Sequence, residues 1–350
     1  MRKKTIQKNI QLFNRVKELL SYARAYIAHN TNHAIVRTYF EIGKMIVVEE
    51  QQGKERAEYG KGLLIELSKG LTKEFGKGYT VRNLELMRMF YLTYLPKSKS
   101  VISKSYSPSK SKSVISKSSR TEFTLSWTHY ILLMRIEDKS ERQFYEIEAK
   151  ENNWSVRELQ RQIDSALYER LALSRNKKKV KELGSKGHVI TKPEDLFKEP
   201  YVLEFLGLKE SASYSESRLE SAIIEKLEHF LLELGKGFTF VARQQRIAFD
   251  ESRFYVDLVF YNRLLRCFVL IDLKIGELKH QDLGQMQMYV NFYDREIKLS
   301  DENNTIGLIL CKDKKDAIVE YTLPNDNNQV FARKYKTILP SKKKLQLLLR

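Results

Sequence analysis

Between Phe254 and Tyr289 the chain reads FYVDLVFYNRLLRCFVLIDLKIGELKHQDLGQMQMY, two apolar runs that each carry one carboxylate where a buried strand normally excludes it. A strand period of two over Phe254 to Tyr261 puts Tyr255, Asp257 and Val259 on one face, and Phe254, Val256, Leu258 and Phe260 on the other. In the second run, Cys267, Val269, Ile271 and Leu273 share one face, so Asp272 and Lys274 point together to the opposite one. Asn262 to Leu265 is short enough for a hairpin turn. The strands should therefore pair antiparallel and bring Asp257 close to Asp272 and Lys274.

Two acids at close range repel, which raises the pKa of one of them unless a divalent cation lies between. Hard oxygen ligands without cysteine or histidine select Mg²⁺, with Mn²⁺ as the substitute. A lysine beside such an ion serves either as a general base toward an acidified water or as a fixed charge that stabilises a pentavalent phosphate. Both roles belong to phosphodiester hydrolysis.

Asp257, fourteen intervening residues and then Asp272-Leu273-Lys274 resembles the D…(D/E)xK signature of PD-(D/E)XK nucleases. Beyond that signature, FLLELGKGFTFVARQQRI, YVDLVFYNRLLRCFVLIDLK, GQMQMYVNFYD, IGLILC and YKTILP resemble the C-terminal domain of YhcG-type bacterial nuclease-domain proteins. YFEIGKMIVVEEQ, EYGKGLLIELSKGLTKEFGKGY, NLELMRMFY, LSWTHY and WSVRELQRQIDSALYERL extend the likeness over the N-terminal half. The resemblance implies two domains: a mostly α-helical N-terminal domain, described as winged-helix-like, and a C-terminal α/β restriction-endonuclease-like PD-(D/E)XK domain. It also implies an acidic residue on the preceding helix, which falls on Glu220 with Glu225 as substitute, and a Q-x-x-x-Y after the lysine, which falls on Gln285 and Tyr289 with Gln287 as neighbour. The family's second acid is usually glutamate. Here it is Asp272, shorter by one methylene and still a hard oxygen donor.

At 350 residues there is room for about two domains, and no run approaches the roughly 20 apolar residues of a membrane span. Without an apolar leader, and with Cys267 and Cys311 inside strand-like runs as buried small hydrophobes, a cytoplasmic protein is expected. The net charge of +18 is uneven: residues 1–200 hold 39 Lys and Arg against 23 Asp and Glu, whereas residues 201–350 hold 23 against 21. The basic half should attract a polyanion through counterion release.

Residues 1–95 read as helical, with Ile10 to Leu20 and Ala34 to Val48 at a 3.6 period, a helix over Glu58 to Phe75, a turn at Gly76 to Tyr79, and Thr80 capping Val81 to Leu92. Helix, glycine turn, helix outlines a helix-turn-helix, whose groove or phosphate contacts would be Arg82, Asn83 and Arg88. His29 and His33 lack the glutamate of a zinc motif and read as surface residues. The three Gly-Lys-Gly triplets fit no phosphate loop and read as helix ends and turns. KSKSVISKS occurs twice within Lys97 to Ser119, a low-complexity insertion expected to be disordered. Ser126 caps a helix carrying Trp127, which with Trp154 reads as core, and Ser155 opens a helix over Val156 to Leu171.

Arg175 to Gly187 reads as a basic linker, giving domains of 1–186 and 187–350. A single helix is expected over Arg218 to Leu234, opened by a capping box from Ser217 to Glu220. Thr305 to Cys311 should be a strand, Lys315 to Tyr321 should lead into the last one, and the tail should be helical. These readings converge on a metal-dependent DNA endonuclease. Asp257, Asp272 and Glu220 would hold Mg²⁺ or Mn²⁺, Lys274 and Gln285 would act on the water or phosphate, and Arg243 and Arg246 would bind phosphates. Cutting both strands with one site per chain would favour a homodimer. The competing readings are an inactive DNA-binding or assembly protein on the same scaffold, and a nuclease acting on RNA.

Overall fold

The computed structural model describes residues 32–50, 57–95, 123–209, 214–249 and 252–349. The expectations for residues 1–31, which include His29, and for the insertion at Lys97 to Ser119 lie outside them. The chain forms two compact units, one of residues up to Asp138 together with Ala149–Val156, the other of Lys139–Glu148 together with Arg157–Arg350. The boundary expected near residue 186 thus lies within the second unit. Among the described residues, no helix is long and apolar enough to cross a membrane.

The described part of the first unit contains helices and no strand. Helix α1 covers 32–50, α2 Ala57–Phe75, α3 Val81–Tyr94 and α4 Trp127–Leu133. Ile46, Leu64, Leu84 and Met87 are buried together, and Trp127 packs against them. Gly43 is needed at the crossing of α1 and α3: a Cβ there would lie 2.0 Å from the Met87 carbonyl oxygen. Thr80 caps α3 by accepting from the Asn83 N–H at 3.3 Å. Gly60 and Gly62 lie inside α2, so only the other two triplets mark helix ends or turns.

The second unit is built on a six-stranded mixed sheet of β1 (Tyr201–Val202), β2 (Phe238–Phe249), β3 (Ser252–Asn262), β4 (Cys267–Glu277), β5 (Ile306–Asp313) and β6 (Val330–Lys336), in the order β1-β6-β5-β4-β3-β2. Strands β2, β3 and β4 form an antiparallel meander, and β4, β5, β6 and β1 run parallel. On one face Leu219, Ile223, Phe230 and Leu234 cover Val269, Ile271, Leu273 and Leu308. On the other, Leu283, Met286, Tyr289 and Val290 cover Leu270, Ile309 and Cys311. A sheet whose inner strands are covered on both faces needs the nearly unbroken apolar runs seen in β4 and β5. Gly307 lets the covering helix approach, since a Cβ there would meet Met286 Cγ at 2.5 Å. Both cysteines are buried and free.

Several helices differ from their sequence expectation. After α5 (Lys139–Glu151), the helix opened near Ser155 is α6 (Val156–Asp164); it stops at Ala166, which is left-handed with φ 53°, and α7 (Leu167–Leu173) begins a new axis. The basic stretch expected to be a linker is α8 (Lys177–Lys186), started by Asn176, whose side chain accepts from Lys179 N. The helix expected over Arg218 to Leu234 is two, α9 (Glu216–Glu225) and α10 (Leu227–Leu234), broken at Lys226. Its N-cap is Ser215, which accepts from Arg218 N at 3.1 Å, and not Ser217. Glu220 is thereby released from any capping duty. After α11 (His280–Phe292), Lys315 to Tyr321 is mostly helix α12 (Asp316–Thr322), and the tail is α13 (Lys342–Leu348).

The break at Ala166 has a visible cause. Arg170, fully buried, donates to the Ser165 carbonyl at 2.8 Å and to Ser165 Oγ at 2.9 Å, and it pairs with the fully buried Glu233 of α10. Glu233 also accepts from the Val202 N–H at 2.9 Å, so one carboxylate ties α7, α10 and β1 together. Burial pushes Glu233 toward its neutral form, but Arg170 and Lys198 outweigh this and hold its pKa below the ordinary value. Removing one partner of such a pair strands the other without solvent. Arg170→Ala should therefore destabilise the second unit by roughly 3–5 kcal/mol, read as a lower midpoint in chemical denaturation of the full chain.

Candidate active site

The site forms where two strands part. Pairing of β3 with β4 runs from Asn262↔Cys267 to Leu258↔Ile271 and goes no further. The next inward-facing amide of β4, that of Leu273, is left without a strand partner, and Asp257 Oδ2 accepts from it at 2.8 Å. A side-chain carboxylate thus ends the ladder and satisfies the backbone group that the split exposes.

The strict alternation expected for β3 fails at this residue. Leu258 and Phe260 belong to the layer under α9 and α10, and Val259 to the layer under α11, as a period of two requires. Val256 and Phe254, expected on the face of Leu258, pack instead in the α11 layer. On β2 the same slip lies between Ala242 and Ile247, both in the α11 layer although an odd number of positions apart. Gln244 and Asp257 face each other between the pairs Arg243↔Leu258 and Gln245↔Val256. Gln244 is left-handed, φ 46°, and absorbs the change of face.

This turnover delivers Asp257 to a group of charged side chains. Gln244 Nε2 donates to Asp257 Oδ1 at 3.0 Å and to Glu220 Oε2 at 2.6 Å, and Arg243 Nε lies 3.2 Å from Glu220 Oε1. Asp272 and Lys274 share a face of β4 as expected and form an ion pair at 2.8 Å. Glu216, in the first turn of α9, lies 3.7 Å from Lys274 Nζ and accepts from the Ile275 N–H at 3.4 Å. From α11, Gln285 bonds the Tyr289 hydroxyl, which donates to the Tyr255 carbonyl at 3.0 Å.

Electrostatics follow from burial and crowding. Asp272 is buried, and this, reinforced by the charge of Asp257 and opposed by Lys274, pushes its pKa up to about 7. Burial works against the Lys274 charge, but Asp272 and Glu216 outweigh it and hold the ammonium above the ordinary lysine value. Burial also raises the Glu220 carboxyl, against the hydrogen bond from Gln244 and the charge of Arg243. Among the described residues, no three or more His, Cys, Asp or Glu side chains converge as a ready-made metal cage. What the site offers a cation is a pair of hard carboxylates whose mutual repulsion a divalent charge would relieve. Such a donor set suits Mg²⁺ or Mn²⁺, which retain waters and take substrate oxygens as further ligands.

The other residues singled out from sequence are placed as follows. Glu225 ends α9 in solvent, and Gln287 is half-buried and bonds Asn291. Arg246 is exposed on β2 opposite Tyr255. In the first unit Arg82 is exposed, whereas the Asn83 amide donates to the Gly78 carbonyl and accepts from Trp127 Nε1, and Arg88 pairs with Glu50 at 2.6 Å. Sequence reasoning passed over Gln244 and Glu216. The available signal for Gln244 was Arg243-Gln244-Gln245-Arg246, four polar residues in succession within an alternating strand.

A family model described as the YhcG PDDEXK nuclease domain matches residues 194–350, and one described as the DUF1016 N-terminal domain matches residues 15–170. A protein of Escherichia coli (strain K12), named "Putative nuclease YhcG", is 37% identical over 346 residues, covering 96% of this chain and 92% of that protein. The chain belongs to the YhcG nuclease-domain family. Its sheet with helical layers on both faces is the restriction-endonuclease-like fold of that family's PDDEXK domain. Two solved structures overlap a smaller part: a repair endonuclease from Pyrococcus abyssi, 15% identical with TM-score 0.24, and the EndoMS-dsDNA2 complex, 14% identical with TM-score 0.25. Each match covers 38% of this chain and half of the other.

The raised pKa of Asp272 carries a stability consequence. Its folded value of about 7 lies above its ordinary 3.8. An unfolded chain therefore gives up this proton first, so stability is fully present at acid pH, falls as pH rises through that interval, and stays lost above it. Asp272→Asn should accordingly stabilise the cation-free protein at pH 7.5 by on the order of 1–3 kcal/mol, seen as a higher unfolding midpoint, and leave it nearly unchanged at pH 4. Thermal melts at the two pH values check this.

Proposed function

We propose that the protein is a divalent-cation-dependent endonuclease that hydrolyses phosphodiester bonds in DNA. The observation that carries this reading is the split between β3 and β4, which places Asp257, Asp272 and Lys274 together at the end of a buried ladder. Four carboxylates, Asp257, Asp272, Glu216 and Glu220, meet two cations, Lys274 and Arg243, so negative charge is left over for a divalent ion. Asp257 and Asp272 hold that ion, Mg²⁺ with Mn²⁺ as substitute, and Glu220 supports it through Gln244. When bound, the cation neutralises phosphate charge and acidifies water.

Lys274, kept protonated by its two acidic neighbours, acts as a fixed charge toward the phosphate and not as the proton acceptor. Gln285 and Tyr289, bonded to each other beside the acids, order the side of the site toward α11. Arg246 and the outer nitrogens of Arg243 hold flanking phosphates. In the N-terminal half the excess of basic residues binds the polyanion without regard to sequence. There Arg82 is the exposed candidate for contact, and Asn83 and Arg88 contribute by holding α3 in place. With one site per chain, cutting a duplex calls for two copies, and the chemistry fits a cytoplasmic protein.

The test is cleavage of single-stranded, duplex and branched DNA and of RNA, with Mg²⁺, Mn²⁺ or EDTA, by wild type, Asp257→Ala and Lys274→Ala. Wild type should cut DNA only with the cation, and each variant should lose at least roughly 10²–10³-fold in rate while keeping its far-UV circular dichroism. Unchanged cleavage in both variants would refute the site. Preference for the RNA arm would reassign the substrate, and binding without cutting in every condition would leave a scaffold that recognises nucleic acid.

A further inference from the structure

Gln244 occupies a position that neither its strand nor its backbone recommends. It is a non-glycine residue at φ 46° in the middle of β2, a conformation that costs on the order of 1 kcal/mol and persists only where the surroundings enforce it. Its amide nitrogen has two hydrogens, and the two bonds it makes go to different carboxylates, Glu220 Oε2 at 2.6 Å and Asp257 Oδ1 at 3.0 Å. Carboxylates only accept, so the amide's orientation is fixed by its partners. Asp257 is then held at both oxygens, Oδ1 by Gln244 and Oδ2 by the Leu273 N–H at 2.8 Å. A carboxylate fixed at both ends cannot swing, which is what a ligand to a small, geometrically demanding cation requires.

We propose that Gln244 is a positioning residue, a neutral spacer that holds Glu220 and Asp257 at a fixed separation and so sets the site's affinity for its divalent cation. The inference rests on the reading of Asp257 as a cation ligand. A neutral amide is suited to this place: an ammonium or guanidinium between the acids would neutralise them and compete with the cation, and an apolar side chain would leave them unsatisfied and repelling. Gln244 also sits where β2 and β3 change face together, so the backbone feature that carries Asp257 into the site is the one that sets the spacer.

The experiment is titration calorimetry of the full-length protein with Mn²⁺ alone, for wild type, Asp257→Ala, Gln244→Gly and Gln244→Asn, beside a thermal melt of each. Gln244→Gly removes the amide and relieves the left-handed backbone, so the strain released offsets part of what the two lost hydrogen bonds cost and the variant should remain folded. Asn tolerates the same backbone, but one methylene less keeps its amide from reaching both acids. Both variants should bind Mn²⁺ roughly 10-fold or more weakly, and the cation concentration for half-maximal cleavage should rise in step. Wild-type affinity in either folded variant would overturn the proposal, because a residue with a purely structural role moves the melt and not the titration. Mn²⁺ binding by wild type that survives in Asp257→Ala would instead refute the underlying reading of the site, and the spacer with it.

Discussion

The bond from the Leu273 N–H to the Asp257 carboxylate is the constraint on which the site depends. Two antiparallel strands can part inside a protein only if the backbone groups they stop sharing find other partners. Here the partner is a side chain from the departing strand, and the amide it takes lies between Asp272 and Lys274. One hydrogen bond therefore closes the ladder and fixes the position of one acid relative to the segment that carries the other acid and the lysine. Because β4 continues beyond the split as a strand paired to β5, with Asp272↔Ile309 and Lys274↔Cys311 in register, that segment is rigid where it is most polar. Burial without mobility is what lifts the Asp272 carboxyl, since a buried acid on a flexible loop would turn to water.

Much of this was legible in the sequence, for a physical reason. A carboxylate inside an apolar run is costly, so Asp257 and Asp272 had to be explained by something other than the core. The short segment between the runs admitted little besides a hairpin, and the pairing of Asn262 with Cys267 is its result. On β4 the face assignment follows from period alone, because every residue from Cys267 to Leu273 sits in a paired, doubly covered strand. The cap of α3 at Thr80 is equally local: one hydroxyl, one orphan amide.

What was not legible depends on partners far along the chain. The slip of face at Asp257 needs Gln244 in a left-handed conformation on the neighbouring strand, and a period of two applied to β3 alone cannot contain it. The capping box placed on Ser217 and Glu220 was chemically sound, but Ser215 starts α9 two residues earlier and leaves Glu220 facing Gln244 and Arg243. Composition also misled at Lys177 to Lys186, where a run of lysines suggested a linker. Lysine is a good helix former, and with Asn176 as its cap the run is α8.

The buried pair Arg170 and Glu233 shows why the folded units do not follow the family boundaries. The N-terminal family match ends at residue 170 and the nuclease match begins at 194, yet Arg170 is fully buried against α10 and bonds the Pro200 carbonyl at 3.2 Å. A buried ion pair adds little net stability over apolar residues of the same volume, because desolvation consumes most of the attraction. Its consequence is exclusivity: the Glu233 carboxylate, which also accepts from Val202 N while the Glu233 backbone carbonyl takes the Lys198 ammonium, accepts in this place only a side chain that brings a positive charge and several donors. The helices α6 and α7 are thereby bound to the sheet that carries Asp257 and Asp272. A nuclease core cut from this chain at residue 194 would keep Asp257, Asp272 and Lys274 and lose Arg170, the guanidinium paired with its fully buried Glu233.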